Sequence, residues 1–341
     1  MAILSFGRSW AKIIIIKMEG LPFERVIIDS RCADSGNASS FEVTLPETLH
    51  MPNDAVCYVT DIAISHSFLT VDGESLIGSR NHYLYFIERN WINEDVVILN
   101  RAELSTKSYA PEELAIEIQT RMNEVSLFNA ATASPYTVVY HNQRNMYTIT
   151  LNYTHPLPIF QDRFGFFVVN RDLLADTDFQ NYFANKTKIG NTLAPYVINF
   201  SEPQDCCGIL GFAKGSSGIK KWPQLAIDLA QQTNFPTTQD TLHVDMRNRH
   251  VIYLHSNALS SLRTIGPSGS RTVIARVPLN SIYQGVIMRT HSGHPLDCVP
   301  CARGVTLRTL DFSVKDSFNR LIDMRGGHVS FELLFAPRPL V

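Results

Sequence analysis

The densest run of chemistry-bearing side chains is His291-Ser-Gly-His294-Pro-Leu-Asp-Cys298-Val-Pro-Cys301, four zinc-competent ligands in eleven residues. Tetrahedral Zn²⁺ takes imidazole nitrogen and thiolate sulfur of this kind, but its common sites space two chelating pairs apart by a hairpin or a helix. Only three residues separate His294 from Cys298, so closing all four ligands round one ion demands a tight knot of backbone. The run therefore reads as a surface connection between two strands, with a structural zinc loop at His291, His294, Cys298 and Cys301 as the alternative. A cupin-like metal centre at His291 and His294 lacks the H-x-H pair and the downstream Glu and His of a facial site. No G-x-S-x-G elbow, Walker A loop, G-x-G-x-x-G turn or H-E-x-x-H helix occurs. Asp311, Asp316 and Asp323 alternate with strand residues and read as turn caps and solvated faces, and His328 as a strand-end residue. No catalytic residue, cofactor or enzymatic activity is expected.

Composition points instead to surface. The chain has 341 residues, 45% apolar, 18% charged and 10% aromatic, enough to bury a sizeable core. A net charge of −2 argues against a protein that coats nucleic acid. Charge is uneven, however. Residues 240–341 hold 12 Lys/Arg against 7 Asp/Glu, net +5, which leaves −7 for residues 1–239. Of those 12 cations 11 are Arg, the side chain of planar, bidentate interface contacts. Arg263, Arg271, Arg276, Arg289, Arg303 and Arg308 are accordingly the interface candidates. An all-β chain this poor in charge has apolar area to spare, and a repeated protein–protein contact is the simplest use for it. The six cysteines are too sparse for a disulfide scaffold and are expected to be reduced. The apolar run Ile13–Ile16 is shorter than either an export signal or a membrane span requires, so an intracellular origin is expected.

The elements that must position these residues speak mostly in period 2. Runs at Phe41–Leu45 (stopped by Pro46), Val56–Ser65, Tyr83–Ile87, Val96–Leu99 and Phe164–Val169 read as strands. So do Arg249–His255, Arg271–Pro278, Gly285–His291, Val305–Val314 and Val329–Phe335. Residues 136–152 read as a hairpin turning at His-Asn-Gln-Arg-Asn. One clear helix is predicted over about 110–123, with Pro111 in its first turn and Leu114, Ile118 and Met122 on one stripe. A weaker helical pattern covers Trp222–Gln232. Many short strands with few helices describe an all-β sandwich. Val251, Tyr253, Leu307, Leu310, Phe312, Phe331, Leu333 and Phe335 are the expected inward-facing residues. The domain reading is an N-terminal arm over 1–24 and a β-domain over 25–341, with insertion elements within 100–238.

The C-terminal stretch carries a family likeness. His250-Val-Ile-Tyr-Leu-His-Ser-Asn257, Thr264-Ile-Gly-Pro-Ser-Gly269 and Ile274-Ala-Arg-Val-Pro278 resemble the penton (minor capsid) proteins of Polinton/Maverick elements and adintovirus-like viruses. Leu307-Arg-Thr-Leu-Asp-Phe-Ser-Val314 and Gly326-Gly-His-Val-Ser-Phe-Glu-Leu-Leu-Phe335 extend the likeness, as do the helix near 108–123 and Ile209-Leu-Gly-Phe212 upstream. It covers about residues 40–337 apart from 153–205 and is most specific over the last ninety; the Cys298/Cys301 pair departs from it. The resemblance implies a single jelly-roll, two antiparallel four-stranded sheets, here with inserted hairpins and one helix. It further implies a homopentamer at the fivefold vertices of an icosahedral virion, contacting a double jelly-roll major capsid protein and, at its exposed face, a host receptor or fibre. The residues alone leave open a stand-alone carbohydrate- or receptor-binding jelly-roll. Two jelly-rolls with their loops fit poorly into 341 residues, which disfavours a major capsid protein.

Overall fold

A computed structural model describes residues 15–17, 24–51, 55–74, 80–90, 96–128, 134–153, 164–184, 186–189, 192–193, 205–210, 236–247, 249–260, 264–290, 298–300 and 306–337. The chain divides into two units. One comprises Met1–Phe68, Leu76–Gly78 and Arg249–Val341; the other comprises Leu69–Ser75 and Ser79–Asn248.

The first unit opens with strands β1 (Ile15–Lys17), β2 (Glu24–Asp29), β3 (Ser35–Asn37), β4 (Ser40–His50) and β5 (Ala55–Ser65). The second unit follows with β6 (Tyr83–Asn90), β7 (Val96–Glu103), β8 (Tyr136–His141), β9 (Met146–Leu151) and β10 (Phe164–Val168). It also holds β11 (Thr187–Ile189), β12 (Thr192–Leu193), β13 (Thr238–Asp240) and helices α1 (Pro111–Val125), α2 (Arg171–Leu174) and α3 (Thr177–Phe183). The chain then returns to the first unit with β14 (Val251–His255), β15 (Val273–Pro278) and β16 (Val286–Thr290). It closes with β17 (Val299–Pro300), β18 (Thr306–Lys315) and β19 (Val329–Pro337).

In the first unit β2-β19-β5-β16 make one four-stranded sheet, extended by β1 beside β2 and by β17 beside β5. The strands β15-β14-β18-β4 make the other, with β3 beside β4. Every pairing is antiparallel. Strands from the two ends of the chain thus interleave in both sheets, the strand order of a single jelly-roll. The all-β expectation holds.

Between the sheets lies one apolar core. Phe41, Val43 and Leu45 of β4 and Leu310, Phe312 and Val314 of β18, neighbours in one sheet, share it with Phe331, Leu333 and Phe335 of β19 in the other. Phe312 is its centre, with ring centroids 5.5 Å from Phe41 and 4.8 Å from Phe331. Of the eight expected inward residues, six are buried. Val251 and Tyr253 are not: Ile252 and Leu254 take the core instead. In His-Val-Ile-Tyr-Leu-His both phases are apolar, so alternation alone cannot choose a face. Leu307 and Leu310 are three apart yet both buried, because a register shift between Leu307 and Thr309 turns the strand once between them.

That same shift corrects the expectation that Pro46 ends its strand. Thr44 pairs with Thr309 and Leu49 with Leu307, so Pro46 falls in the irregular stretch, where a missing N–H costs no ladder bond. β3 reaches only to Glu42, so among the described residues no strand pairs with the outer edge of β4 at Pro46, and β4 runs on to His50.

The second unit, Leu69–Ser75 and Ser79–Asn248, has sheets and helices of its own. Tyr83–Ile87 and Val96–Leu99 look like jelly-roll strands by composition but pair with each other in a separate sheet, ordered β10-β6-β7-β11-β12. Leu84 and Phe86 pack toward α1, β8 and β9, while Tyr85 and Ile87 pack toward α2 and α3. Burial on both faces explains the unbroken apolar run. The helix α1 starts at Pro111, buries Leu114, Ile118, Met122 and Val125, and leaves Ile116 exposed. Its Glu113 accepts a hydrogen bond from Ala110 N and so caps the first turn. Part of the expected arm is a strand: Ile15–Lys17 pairs with Glu24–Val26. Trp222–Gln232 lies outside the described residues.

Candidate assembly surface

A jelly-roll has two flanks, each made by one edge of each sheet. On one flank β15 and β16 pack beside each other. Among the described residues each is bonded on one side only, β15 to β14 and β16 to β5. The alternation of β16 places Ile287 in the core and leaves Val286 and Met288 outside, 54% and 62% exposed. Ile282, in the preceding loop, is 84% exposed. That loop is tied down at its base. His66 N donates to Gly285 O at 2.9 Å, Gln284 N to His66 O at 2.9 Å and Gly285 N to Ile282 O at 3.0 Å. The His66 imidazole lies 3.1 Å from Ser281 O and 4.4 Å from the Phe68 ring, and burial holds its pKa below the ordinary value. Asn280 Nδ2 donates to Met288 O at 2.9 Å. Ile282 is therefore presented by a braced turn, with Gln284 at φ 66° completing it.

Cations border this apolar strip. Arg271 precedes β15 and Arg276 lies on it opposite Tyr253; both are exposed. Arg289, on β16 opposite Ile62, is half-buried. Three of the six candidate arginines thus share a flank. Arg308 is exposed on β18, an inner strand, while Arg263 and Arg303 lie outside the described residues.

On the opposite flank, from β2 to β4, the exposed side chains include a group of acids. Asp34, Glu42 and Glu47 are exposed there. Asp34 accepts from Thr44 N, and Ser35 Oγ donates to Glu42 at 3.3 Å. Two basic residues of this side are paired: Arg31 holds Asp29 in a fork, which keeps that carboxyl below its usual range, and Arg25 pairs with Glu332.

Of the zinc-competent run, His291, His294 and Cys301 lie outside the described residues. Cys298 is half-buried beside Tyr58, whose phenol is pushed up by burial and by the neighbouring thiol. Among the described residues no three His, Cys, Asp or Glu side chains are grouped to hold a metal ion. No described helix is long and apolar enough to cross a membrane.

Two features are not legible in the sequence. The strip at Ile282, Val286 and Met288 is hidden because Val-Ile-Met is apolar in both phases. Glu88, inside the second unit, is invisible within a strand pattern. Its carboxylate is fully buried and accepts four hydrogen bonds: from Ser126 Oγ, Tyr136 OH at 2.8 Å, Asn100 Nδ2 at 2.7 Å and Leu127 N at 2.7 Å. It joins β6, β7, the end of α1 and β8 at one point. Burial pushes its pKa up, against the pull of these donors.

No family model matches this chain, and no curated protein does. Among solved structures it is similar to a mavirus penton protein crystal structure, 10% identical, with a TM-score of 0.45 over 92% of this chain and 98% of that one. Identity and superposition of that degree bear on no function.

Proposed function

We propose that this chain is a structural virion protein, a penton-like minor capsid protein that forms the fivefold vertices of an icosahedral shell. The strand order β2-β19-β5-β16 against β15-β14-β18-β4 carries the reading, because it is the single jelly-roll that the sequence resemblance implies. Open sheet edges of this kind are a liability in a lone subunit, and closure into a ring is one way to cover them. In this reading the partners are further copies of the chain and a double jelly-roll major capsid protein, with a receptor or fibre as a further contact. The chain works in the capsid and needs neither cofactor nor catalysis.

Mass photometry and class-averaged electron microscopy of the purified chain test the proposal. Rings of five copies are the expected result. A chain that stays monomeric across the micromolar range, or closes with another symmetry, overturns it. A monomer that also binds immobilised glycans favours the stand-alone binding protein instead.

A further inference from the structure

Resting on the capsid reading for its setting, the geometry points to one contact: the β15–β16 flank of one copy docks on the β2–β4 flank of a second copy. The two surfaces belong to opposite sides of the same unit, and they match in charge. Arg271, Arg276 and Arg289 line one; Asp34, Glu42 and Glu47 are exposed on the other. The first also carries the apolar strip of Ile282, in the loop before β16, with Val286 and Met288 on β16, which among the described residues is bonded on one edge only.

Charge decides the type of contact. A two-fold pairing of the β15–β16 flank with itself would set arginine against arginine, and like charges brought together disfavour that partner. Head-to-tail docking places each Arg flank on the flank that exposes these acids and leaves both surfaces used in every copy, which generates a ring when the rotation closes. The contact is made by side chains and does not continue the sheet. Beyond Glu42 the outer edge of β4 includes Pro46, which has no N–H to offer an incoming strand.

The test uses the full chain and reads association by mass photometry and light scattering, with thermal melting to verify the fold. Arg271→Glu/Arg276→Glu is expected to weaken association at least tenfold without lowering the melting temperature. Glu42→Arg/Glu47→Arg is expected to do the same, and all four changes together to restore association by reversing the pair. Met288→Ser, which changes no charge, is expected to weaken it as well. If both charge-reversed pairs assemble like the wild type, this contact is wrong while the vertex reading stands. If association follows the charges as described but the particles lack fivefold symmetry, the vertex reading falls and the contact stands. A wild-type chain that never associates overturns both.

Discussion

The Tyr136 hydroxyl donates to Glu88 Oε1 at 2.8 Å, and both side chains are wholly buried. Glu88 Oε1 meets two hydroxyls, Ser126 and Tyr136, which can turn to accept; Glu88 Oε2 meets only N–H donors, from Asn100 and Leu127. A protonated carboxyl or an amide fits this arrangement as well as a carboxylate does. Because the folded pKa is raised, the folded protein binds more protons than the unfolded chain just above pH 4.5. The contribution of Glu88 to stability is complete below that pH and is lost as pH rises through the folded pKa. Glu88→Gln does not titrate. Its melting temperature relative to wild type is expected to rise with pH across that window, measured by circular dichroism; a pH-independent difference would sink the assignment. Glu88→Ala strands four donors, each worth about 1–3 kcal/mol when left unsatisfied, and is expected to unfold the second unit.

Phe312 tests the jelly-roll core. Its ring is 1% exposed and touches Phe41 and Phe331. Phe312→Ala is expected to cost about 3–5 kcal/mol in urea unfolding through the cavity it leaves. Phe318, 68% exposed in the turn after β18, is the control, and Phe318→Ala is expected to cost no more than about 0.5 kcal/mol. Equal costs would show the strand phase to be inverted.

His255 supplies a second pH dependence, of opposite sign. Its imidazole is buried, lies 2.8 Å from Thr272 Oγ1, and is lowered to about 4 by burial and then by Lys315. The folded state therefore binds fewer protons than the unfolded chain between pH 6.5 and about 4. Stability from this residue is present above pH 6.5 and falls away through that window. His255→Gln is expected to flatten the acid limb of the melting profile. An unchanged limb would mean that His255 protonates without cost.

Chelation tests the loop from His291 to Cys301. A structural zinc there would be bound only by the folded chain, so its loss would lower the melting temperature. Incubation with EDTA or 1,10-phenanthroline is expected to leave the melting temperature unchanged and elemental analysis to find no stoichiometric zinc. A fall of many degrees together with bound zinc would make His291, His294, Cys298 and Cys301 ligands.

Local pattern was enough for the all-β class, for α1 and for the inward phase of β18 and β19. Pro111, the stripe of Leu114, Ile118 and Met122, and the alternation of Phe331, Leu333 and Phe335 are decided between near neighbours in the chain. What needed the tertiary structure was every choice between equals. Ile252 and Tyr253 are both apolar enough to face inward, and only pairing with β15 and β18 selects Ile252. Tyr83–Ile87 has a jelly-roll strand's composition, yet its partners are β7 and β10. Pro46 stops a strand by its own chemistry, unless its neighbours leave the ladder irregular where it stands, as β18 does. Arg271, Arg276 and Arg289 were legible as a basic bias of the last hundred residues, but their shared flank arises because β15 and β16 are edges of different sheets brought side by side. Side-chain periodicity is a property of one strand; which strand lies next to it is a property of contacts far apart in sequence, and those the chain settles only by folding.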